Sequence, residues 1–362
     1  MRKVGYPMNK ILTKMIIAVF TAIILTLAVS AASDVTMIYT TDDFLAINDD
    51  LSGNYELACS LDFEGVTFTP IGSTALPFTG TFDGAGFTVS NISISVNASE
   101  DAYAAVFTML DGATVTDVTF DCCTVQVSAT NNAYAAVVSA INNGYINNVN
   151  VTNSNVTAMS DYFAARVAAI TAYNLLGGEI NECSSDATIT AESTHLYSDA
   201  AGIAAVNVGT ISSSTNSGDI FTTSEPSDAI AAGIVATNYG TVTDSENTGD
   251  ITVTTVNGKA VGDGVTGNES GTTENSSSSG KVTINSEVED DILYGDVDGD
   301  GQVIPSDNVV LSRYLAKWTG YDQIDAEAAD VDLDDEVTSV DNVILSRFSA
   351  KWTGYETLPY LD

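Results

Sequence analysis

The sequence predicts a right-handed parallel β-helix followed by a small all-α unit. Two internal repeats support this prediction. Between positions 35 and 286, short runs rich in Val, Ile, Thr, Ser, Asn and Gly recur with a period near 31. After position 294 a different unit is written twice, so that Asp296 maps onto Asp330 and Trp318 onto Trp352. A fixed period in the first region is typical of solenoids, in which each repeat packs against its neighbours.

The first of these repeats is strand-like. Ala201–Ile211, Ala232–Val242 and Asp263–Thr273 read AGIAAVNVGTI, AGIVATNYGTV and DGVTGNESGTT, and looser copies precede them. The apolar runs are short and end at Asn-Gly, Tyr-Gly or Ser-Gly turns. We therefore expect each unit to form one coil of two or three short strands, with Val and Ile inside and Asn side chains stacked at the turns.

The beginning of the repeat region is more aromatic and is expected to close the solenoid. A short cap helix is predicted near Asp42–Asp49, because the open core of a solenoid needs an atypical end. The segment Phe78–Ile92 and the pattern G-x-I…N-x-G-x-I…G-D-I resemble bacterial surface β-helix proteins with GLUG-type repeats. That broad family includes adhesins and non-catalytic segments, so the resemblance implies a fold and only weakly a function.

Residues 1–32 are predicted to be an export signal. Four basic residues precede the apolar run Met15–Val29, and Val29-Ser30-Ala31 is a small-residue cleavage site. A membrane anchor is the alternative. Cleavage would change the formal charge from −37 to −41, because it removes four basic residues and no acidic ones. The mature protein is expected to be secreted, and its charge argues against nucleic acid and anionic membranes as partners.

The four cysteines are expected to be thiols. Cys122 and Cys123 are adjacent, so on a strand they point to opposite faces, and Cys59 and Cys183 lie far apart in sequence. Small buried thiols at inward-facing strand positions are favoured over two disulfides.

The duplicated C-terminal unit begins with a loop dense in carboxylates. Aspartates stand at loop positions 1, 3, 5 and 12, and Gly301 stands at position 6, which is the spacing of an EF-hand-type calcium loop. Hard oxygen ligands this close repel one another unless a cation lies between them. The carbonyl of position 7 completes the predicted set. The ligands predicted for this Ca²⁺ site are Asp296, Asp298, Asp300, Gln302 and Asp307.

The second loop repeats this pattern with one change. Position 6 is Asp335 instead of Gly, and Asp enters the left-handed backbone region at some cost. The second site is therefore expected to bind Ca²⁺ more weakly, or to depend on the first. In both loops position 12 is Asp, so the following helix must begin close to the site. The predicted ligands of the second site are Asp330, Asp332, Asp334, Glu336 and Asp341.

A helix is predicted after each loop, over Asp307–Lys317 and Asp341–Lys351. Apolar residues at helical spacing, with Trp318 and Trp352 among them, are expected to form the buried faces, and a Gly follows each helix. Neither half can bury much apolar surface alone. We therefore expect the two halves to pack face to face, with calcium binding supplying folding energy.

These motifs resemble the type I dockerin, a calcium-dependent module that attaches enzymes and other proteins to cohesin domains of a cellulosome scaffold. The resemblance covers the chain from Tyr294 to Asp362. It implies that loop positions 10 and 11 and basic helix residues meet the cohesin, and that either half can face it. Because positions 10 and 11 differ between the copies, one face is expected to be preferred. A solvated helix face is the alternative for the basic residues. The implied contacts are Pro305, Ser306, Arg313, Lys317, Ser339, Val340, Arg347 and Lys351.

The predicted organisation is a signal peptide at 1–32, a β-helix with its cap at 33–286, an acidic linker at 287–293 and a dockerin-like module at 294–362. The resemblance favours a cellulosome-associated protein whose β-helix binds plant cell-wall polysaccharide or a surface. Two alternatives stay open, a hydrolase or lyase acting in polysaccharide catabolism and a cell-surface adhesin.

No catalytic residue is predicted in the β-helix. Hydrolysis of a glycosidic bond needs two carboxylates, and six aspartates would supply a pair only if neighbouring coils align them. Arg166, Lys259 and His195 are spread along the chain without forming a cluster in sequence. Five tyrosines near unit starts are expected either to form a stripe for sugar stacking or to pack on the solenoid surface. The aspartates are Asp83, Asp111, Asp117, Asp121, Asp161 and Asp186, and the tyrosines are Tyr103, Tyr134, Tyr162, Tyr173 and Tyr197.

Overall fold

The computed structural model describes residues 34–225, 227–287, 292–334 and 336–360. The predicted export signal, Asp335 and most of the predicted linker lie outside these ranges. The chain divides into two compact units, Met1–Glu287 and Val288–Asp362. Within the described ranges, no helix is both long enough and apolar enough to span a membrane.

The first unit is a parallel β-solenoid of about seven turns with a period of about 31, which confirms the predicted fold class. Each turn passes through three sheets in a fixed order. Within the described residues, sheet 2 has six strands, and their order in the sheet follows the order of the chain. These strands are Ala102–Ala104, Ala133–Ala135, Ala165–Ala168, Ser198–Ala201, Ala229–Ala232 and Ala260–Asp263.

Sheet 1 follows sheet 2 in each complete turn and contributes up to three short strands per coil. Its strands in the described chain are Val35–Ile38, Asn54–Leu57, Leu61–Asp62, Thr81–Asp83, Thr88–Ser90, Phe107–Asp121, Ser139–Thr152, Thr171–Asn174, Glu179–Asn181, Ser184–Ser185, Ala204–Asn207, Thr210–Ser212, Thr215–Asn216, Val235–Asn238, Thr241–Thr243, Glu246–Asn247, Thr266–Glu269, Thr272–Glu274 and Ser277–Ser278. Sheet 3 completes the turn with Ser93–Ala98, Thr124–Ala129, Asn155–Ser160, Thr188–Ser193, Ile220–Ser224, Ile251–Val256 and Val282–Glu287.

The register follows the sequence repeat. Ile211 pairs with Val242, and Val242 pairs with Thr273, so each pairing advances by one full repeat. The inward-facing Ile211 and Val242 are fully buried. Glycine is required where coils approach most closely, since a Cβ built on Gly240 would lie 2.1 Å from the carbonyl oxygen of Gly209. Close backbone stacking therefore fixes the shape of each coil.

Buried asparagines form a ladder at one turn, as the sequence predicts. Nδ2 of Asn142 donates to Oδ1 of Asn174 at 2.8 Å, and Asn174 donates to Asn207 in the same way. Nδ2 of Asn207 donates to Oδ1 of Asn238 at 2.9 Å. Each amide is both donor and acceptor, so the buried polar groups satisfy one another from coil to coil.

The predicted cap helix is present at the beginning of the solenoid. Helix α1 spans Thr41–Leu45 and continues as a 3₁₀ turn over Ala46–Asp49. The Asp43 carboxylate accepts a hydrogen bond from the Thr40 N–H at 2.9 Å, and Thr40 Oγ1 accepts one from the Asp43 N–H at 3.1 Å. This capping box begins the helix. The helix covers the core with Phe44, which is fully buried.

All four cysteines are free thiols, as expected, but only two occupy buried positions. Cys123 and Cys183 are buried, and burial raises the pKa of each thiol to about 12. Cys122 is exposed in the left-handed region, with φ of 54°, and Cys59 is half-buried. The expectation of inward-facing thiols is wrong for Cys122, because the chain turns there instead of continuing as a strand.

The second unit contains helix α2 at Pro305–Leu315, a short α3 at Ala326–Ala329 and α4 at Ser339–Ser349. Its core includes Val297, Leu311, Ala329 and Leu345, so both halves bury residues together as predicted. Helices α2 and α4 begin and end two residues earlier than the sequence predicts. Pro305 occupies the first turn of α2, where a missing N–H costs nothing.

Both helices end in a left-handed residue that is not glycine. The backbone turns at Lys317 and Lys351, each with φ of 55°, whereas Gly320 and Gly354 lie three residues farther on. The N–H of Trp318 bonds the Arg313 carbonyl and the N–H of Lys317 bonds the Tyr314 carbonyl, which is a Schellman arrangement.

Candidate metal centres and docking face

The first acidic loop brings three of its carboxylates together. Oxygen atoms of Asp296, Asp298 and Asp307 all lie within 4.8 Å of one another. Asp300 is outside this cluster, and its N–H donates to Oδ1 of Asp296 at 3.0 Å. Gly301 donates its N–H to Oδ2 of Asp296 at 2.8 Å. The loop thus folds around Asp296, with three of its four aspartate carboxylates converging on one point.

Asp307 holds the end of this loop against its beginning. The side chain is fully buried, and its Oδ1 accepts the N–H of Val297 at 2.9 Å. Its Oδ2 accepts the N–H of Ile304 at 2.8 Å, at the start of α2. Because α2 begins at Pro305, Asp307 lies in its first turn. This early start is the arrangement that an Asp at position 12 requires to reach the cluster.

The second loop gathers a different trio. Oxygen atoms of Asp330, Asp332 and Asp334 lie within 4.8 Å of one another. Asp341 occupies the place of Asp307 and is fully buried, with Oδ1 accepting the Val331 N–H at 2.9 Å and Oδ2 accepting the Thr338 N–H at 2.8 Å. The two loops therefore share the anchoring residue and differ in which carboxylates converge.

The electrostatics of both loops favour a cation. Burial, followed by the charge of Asp307, raises the pKa of Asp298, and burial followed by Asp341 raises the pKa of Asp332. Oδ1 of Asp332 is buried without a hydrogen-bond partner. Within the described residues, no Lys or Arg side chain forms a salt bridge with Asp298 or Asp332. An all-oxygen donor set with an orphaned buried oxygen fits Ca²⁺, a hard cation.

The remaining predicted ligands are positioned by the loop backbone. Gln302 donates its N–H to Oδ1 of Asp300 at 2.9 Å, and Glu336 donates its N–H to Oδ1 of Asp334 at 2.9 Å. These matching bonds place the residues at position 7 equivalently in the two loops.

The residues implied as cohesin contacts lie on the outside of the second unit. Most are exposed, whereas Arg313 and Arg347 are half-buried beneath aromatic rings. The exposed ones are Pro305, Ser306, Lys317, Ser339, Val340 and Lys351.

Each arginine lies in an equivalent aromatic cluster. Cζ of Arg313 is 5.4 Å from the Trp318 ring centroid and 4.9 Å from that of Tyr321. The Arg347 distances are 5.6 Å to Trp352 and 5.0 Å to Tyr355. Nη1 of each arginine also donates to the tyrosine hydroxyl of its cluster. Both guanidinium groups are thus held in place by cation–π contacts.

The expectation that Trp318 and Trp352 are buried is wrong. Their exposed fractions are 58% and 59%. Each helix ends before its tryptophan, so the helical spacing that predicted burial does not extend to it. The left-handed turn at Lys317 and at Lys351, one residue before each tryptophan, is what the sequence pattern did not reveal. The Trp318 ring enlarges the exposed face of the first half, which contains Lys317, and the Trp352 ring enlarges that of the second half, which contains Lys351.

Of the six aspartates considered for hydrolysis, Asp83, Asp111, Asp117 and Asp121 lie on strands of sheet 1. Asp161 and Asp186 lie between strands. Several serve structural hydrogen bonds to the following coil. Asp111 accepts from Asn143 at 2.7 Å and Asp121 accepts from Asn153 at 2.8 Å, in each case from Nδ2. Asp83 accepts the Ala85 N–H within its own turn at 2.7 Å. These contacts support a structural role for the three aspartates.

The structure also forms a cluster that was not apparent in the sequence. Arg166 makes a salt bridge with Asp199, with Nε and Oδ2 separated by 3.4 Å. Of the five tyrosines named from the sequence, Tyr134, Tyr173 and Tyr197 surround the guanidinium. Tyr103 stacks on Tyr134, whereas Tyr162 packs against His195. Asp199 was not among the six aspartates, since neither its spacing nor its neighbours marked it.

Comparison with known families assigns the end of the chain. Residues 294–348 match the family model of the Dockerin type I domain. Dockerin domains generally bind calcium and attach to cohesins, and proteins that contain them are typically extracellular cellulosome components. No curated protein matches the chain with significant similarity.

Two solved structures align with part of this chain. One, assigned as an immunoglobulin A1 protease from Bacteroides ovatus, is 17% identical and has a TM-score of 0.53, covering 72% of this chain and 85% of its own. A second, titled IgA1 Protease, is also 17% identical, with a TM-score of 0.43 over 67% of this chain and 21% of its own length. The first similarity indicates a shared fold alone.

Proposed function

We propose that this chain is a secreted, cellulosome-associated protein that docks to a cohesin through two calcium-loaded loops. The solenoid is then the part presented outside the cell, where it binds carbohydrate or a surface. The observation that carries the docking proposal is the pair of acidic loops, each anchored by a buried aspartate at position 12. Asp307 and Asp341 tie the two loops to their helices through equivalent bonds.

The proposed ligands of the first ion are Asp296, Asp298, Asp300 and Asp307 with the Gln302 carbonyl. Those of the second are Asp330, Asp332, Asp334 and Asp341 with the Glu336 carbonyl. Calcium would neutralise the carboxylates of each loop and hold each helix start in place. The three-carboxylate cluster of the first loop includes the buried Asp307, whereas that of the second omits Asp341. This difference supports the weaker binding proposed for the second site.

The proposed cohesin contacts are the exposed face of each half. In the first half they are Pro305, Ser306, Arg313 and Lys317, and in the second Ser339, Val340, Arg347 and Lys351. Exposed aromatic rings beside basic groups are typical of binding hot spots. Trp318 and Trp352 therefore join the proposed face. The matching clusters support docking through either half.

The test measures binding of the full chain to a panel of purified type I cohesins, in calcium and in EDTA. We expect at least one cohesin to bind in calcium and to dissociate in EDTA. The double variant Asp298→Asn/Asp332→Asn should lose at least about 100-fold in affinity, since each substitution removes a charged ligand at a loop centre. Asp244→Asn, which changes an exposed aspartate of the solenoid with a backbone conformation that Asn also tolerates, should bind like the wild type. Binding that survives EDTA, or an unaffected double variant, would overturn the proposal.

A calcium titration of the same proteins separates the two sites. The wild type should bind two ions, with the second more weakly. Asp298→Asn and Asp332→Asn should each remove one binding event. A single binding event in the wild type that Asp332→Asn leaves unchanged would contradict the second site.

A further inference from the structure

The cluster around Arg166 lies on the outer face of sheet 2, in a ladder of register neighbours. Tyr134 pairs with Arg166, and Arg166 pairs with Asp199. The next two coils place Ile230 and Val261 at the same ladder position. Aliphatic side chains therefore satisfy the fold at this position, and the solenoid itself does not require an ion pair there.

Burying this ion pair costs desolvation free energy. Asp199 has an exposed fraction of only 2%, and burial of both partners removes them from water. Replacing such a pair by apolar residues is often neutral or stabilising. Oδ1 of Asp199 accepts a hydrogen bond from Thr237 Oγ1 at 3.3 Å, which orients the carboxylate. A buried and oriented pair at a position that accepts aliphatic residues points to a role in binding.

The guanidinium of Arg166 is held in one orientation. Nη1 donates to the Tyr134 hydroxyl at 3.0 Å. Cζ lies 5.5 Å from the ring centroids of Tyr134 and Tyr197 and 6.0 Å from that of Tyr173. Nε is buried and makes no hydrogen bond, despite its closeness to Asp199. The guanidinium as a whole is therefore already fixed before a ligand arrives, so binding costs little conformational entropy at this side chain.

A cavity of about 300 Å³ opens on this group. Its floor contains Arg166 and Asp199, and its walls include Tyr173, Tyr197 and Tyr239. Tyr239 is 57% exposed, so its ring stands at the mouth. The volume is at the lower end of the range for small-molecule pockets, roughly 300–1,000 Å³. It suits one small cyclic ligand or one unit of a longer chain.

The lining chemistry selects a neutral ligand with both apolar and hydroxylated surfaces. Asp199 neutralises Arg166, and Asp228 adds a negative charge to the lining, so an anion would be disfavoured. The Arg166 cation on the floor disfavours an ammonium group. Tyrosine rings contact apolar faces, while the guanidinium, the carboxylates and Asn268 can bond hydroxyl groups. A sugar ring combines C–H faces with hydroxyl edges.

We propose that this pocket binds one neutral sugar unit of a polysaccharide, with the sugar ring between tyrosine side chains and its hydroxyl groups on Arg166 and the acidic lining. This proposal rests on the proposed function, in which the solenoid binds carbohydrate or a surface outside the cell, and it names the ligand and its site. It uses no residue of the C-terminal unit, so docking and sugar binding can fail separately.

The test is calorimetric titration of the full chain in EDTA with neutral oligosaccharides four to six units long, built from glucose, xylose, mannose, galactose or arabinose. The corresponding monosaccharides and an oligogalacturonate are titrated in parallel. We expect at least one neutral oligosaccharide to bind, and to bind more tightly than its monosaccharide and than the oligogalacturonate. Absence of neutral oligosaccharide binding at about 10 mM ligand, a concentration that reveals even a millimolar Kd, would overturn the proposal. Preference for the anionic chain would overturn it as well.

Variants assign the binding to this pocket. Tyr239→Ala should weaken binding about three- to tenfold, the effect of losing one ring contact. Tyr162→Ala is the matched control, because Tyr162 is similarly exposed, at 54%, and does not line the cavity. The double variant Arg166→Met/Asp199→Leu keeps apolar packing in the ladder and should lose at least about tenfold in affinity. Equal affinities in wild type and both pocket variants, with the β-sheet circular dichroism unchanged, would place the sugar elsewhere.

Discussion

Asn308 and Asn342 occupy the same position in the two C-terminal repeats and are hydrogen-bonded to each other. Nδ2 of Asn308 donates to the Asn342 carbonyl oxygen at 2.7 Å and to its Oδ1 at 3.0 Å. Their separation along the chain equals the offset of the sequence duplication, which also relates Asp296 to Asp330. The contact therefore joins α2 and α4 at equivalent positions, each one residue after the buried aspartate that ends its loop.

Loss of this contact should destabilise the C-terminal unit. We expect Asn308→Ala to lower the free energy of unfolding by about 1–2 kcal/mol, since two hydrogen bonds to a half-buried partner are lost. Ser312 Oγ still donates to Oδ1 of Asn342 at 3.1 Å, which limits the effect. The measurement is thermal unfolding in saturating calcium, monitored through the helical circular dichroism.

Ser346→Ala is the control for this variant, because Ser346 lies on an exposed face of α4. A melting temperature for Asn308→Ala equal to that of the control would show that the asparagine pair does not couple the halves.

The Asn ladder of the solenoid should tolerate substitution poorly. Asn207→Ala removes the acceptor of Asn174 and the donor to Asn238, so buried polar groups lose partners in both neighbouring coils. We expect a loss of about 2–4 kcal/mol in unfolding free energy. Asn143→Ala is the control, because its bond to Asp111 is exposed and should cost less than about 1 kcal/mol.

Denaturant titration of both variants, followed by β-sheet circular dichroism, checks this difference. Similar midpoints for Asn207→Ala and Asn143→Ala would mean that water or a shifted neighbour replaces the buried bonds.

The solenoid was predictable because its repeat is local and regular. The sequence period is also the pairing offset of Ile211 with Val242. The Asn ladder follows from the same period. The paired loops were also visible, since four acidic positions recur at one offset. In these regions, spacing along the chain determines proximity in space.

The Arg166 pocket was not predictable, because its residues follow no single period. Arg166 pairs with Asp199 at an offset of 33, and Tyr134 pairs with Arg166 at an offset of 32. The pocket also joins sheet 2 to Thr237 of sheet 1, which hydrogen-bonds Asp199 from the following coil. Only the three-dimensional corner between sheets brings these side chains together. The exposure of Trp318 was not predicted for another reason, because the helix ends at Leu315 and the helical spacing does not extend to the tryptophan.

Asp199 should make the stability of the solenoid depend on pH. Burial raises the pKa of Asp199 to about 6, although the Arg166 charge acts in the opposite direction. An unfolded aspartate has a pKa of about 3.9. The folded state therefore holds a proton that the unfolded chain releases between these values. This contribution to stability is fully present below about pH 4 and is lost as the pH rises through about 6.

The measurement compares thermal unfolding of the wild type and Asp199→Asn from pH 4 to pH 7. Arg166 is the charged side chain paired with Asp199, and Tyr173, Tyr197 and Asp228 line the same cavity. All are retained in the variant. Over this range the wild type should lose about 2 kcal/mol relative to the variant. Parallel pH profiles for the two proteins would contradict a raised pKa for Asp199.

The duplicated aromatic clusters predict redundant docking. If either half can face the cohesin, Trp318→Ala leaves the second half intact and should weaken binding only about twofold, by removing one of two equivalent modes. Trp352→Ala should behave in the same way. The double variant should lose at least about 30-fold in cohesin affinity, since a tryptophan that becomes buried in an interface contributes about 2 kcal/mol or more to binding. A larger effect of one single variant would identify the preferred face, as the difference between Pro305-Ser306 and Ser339-Val340 suggests.

Surface-immobilised cohesin in saturating calcium measures these affinities. The exposed Tyr239 of the solenoid provides a control, because Tyr239→Ala removes an aromatic ring of similar exposure outside the C-terminal unit. It should leave cohesin affinity unchanged. Should the double tryptophan variant bind like the Tyr239→Ala control, both rings lie outside the interface, and the docking face is restricted to the loop and helix residues implied by the sequence.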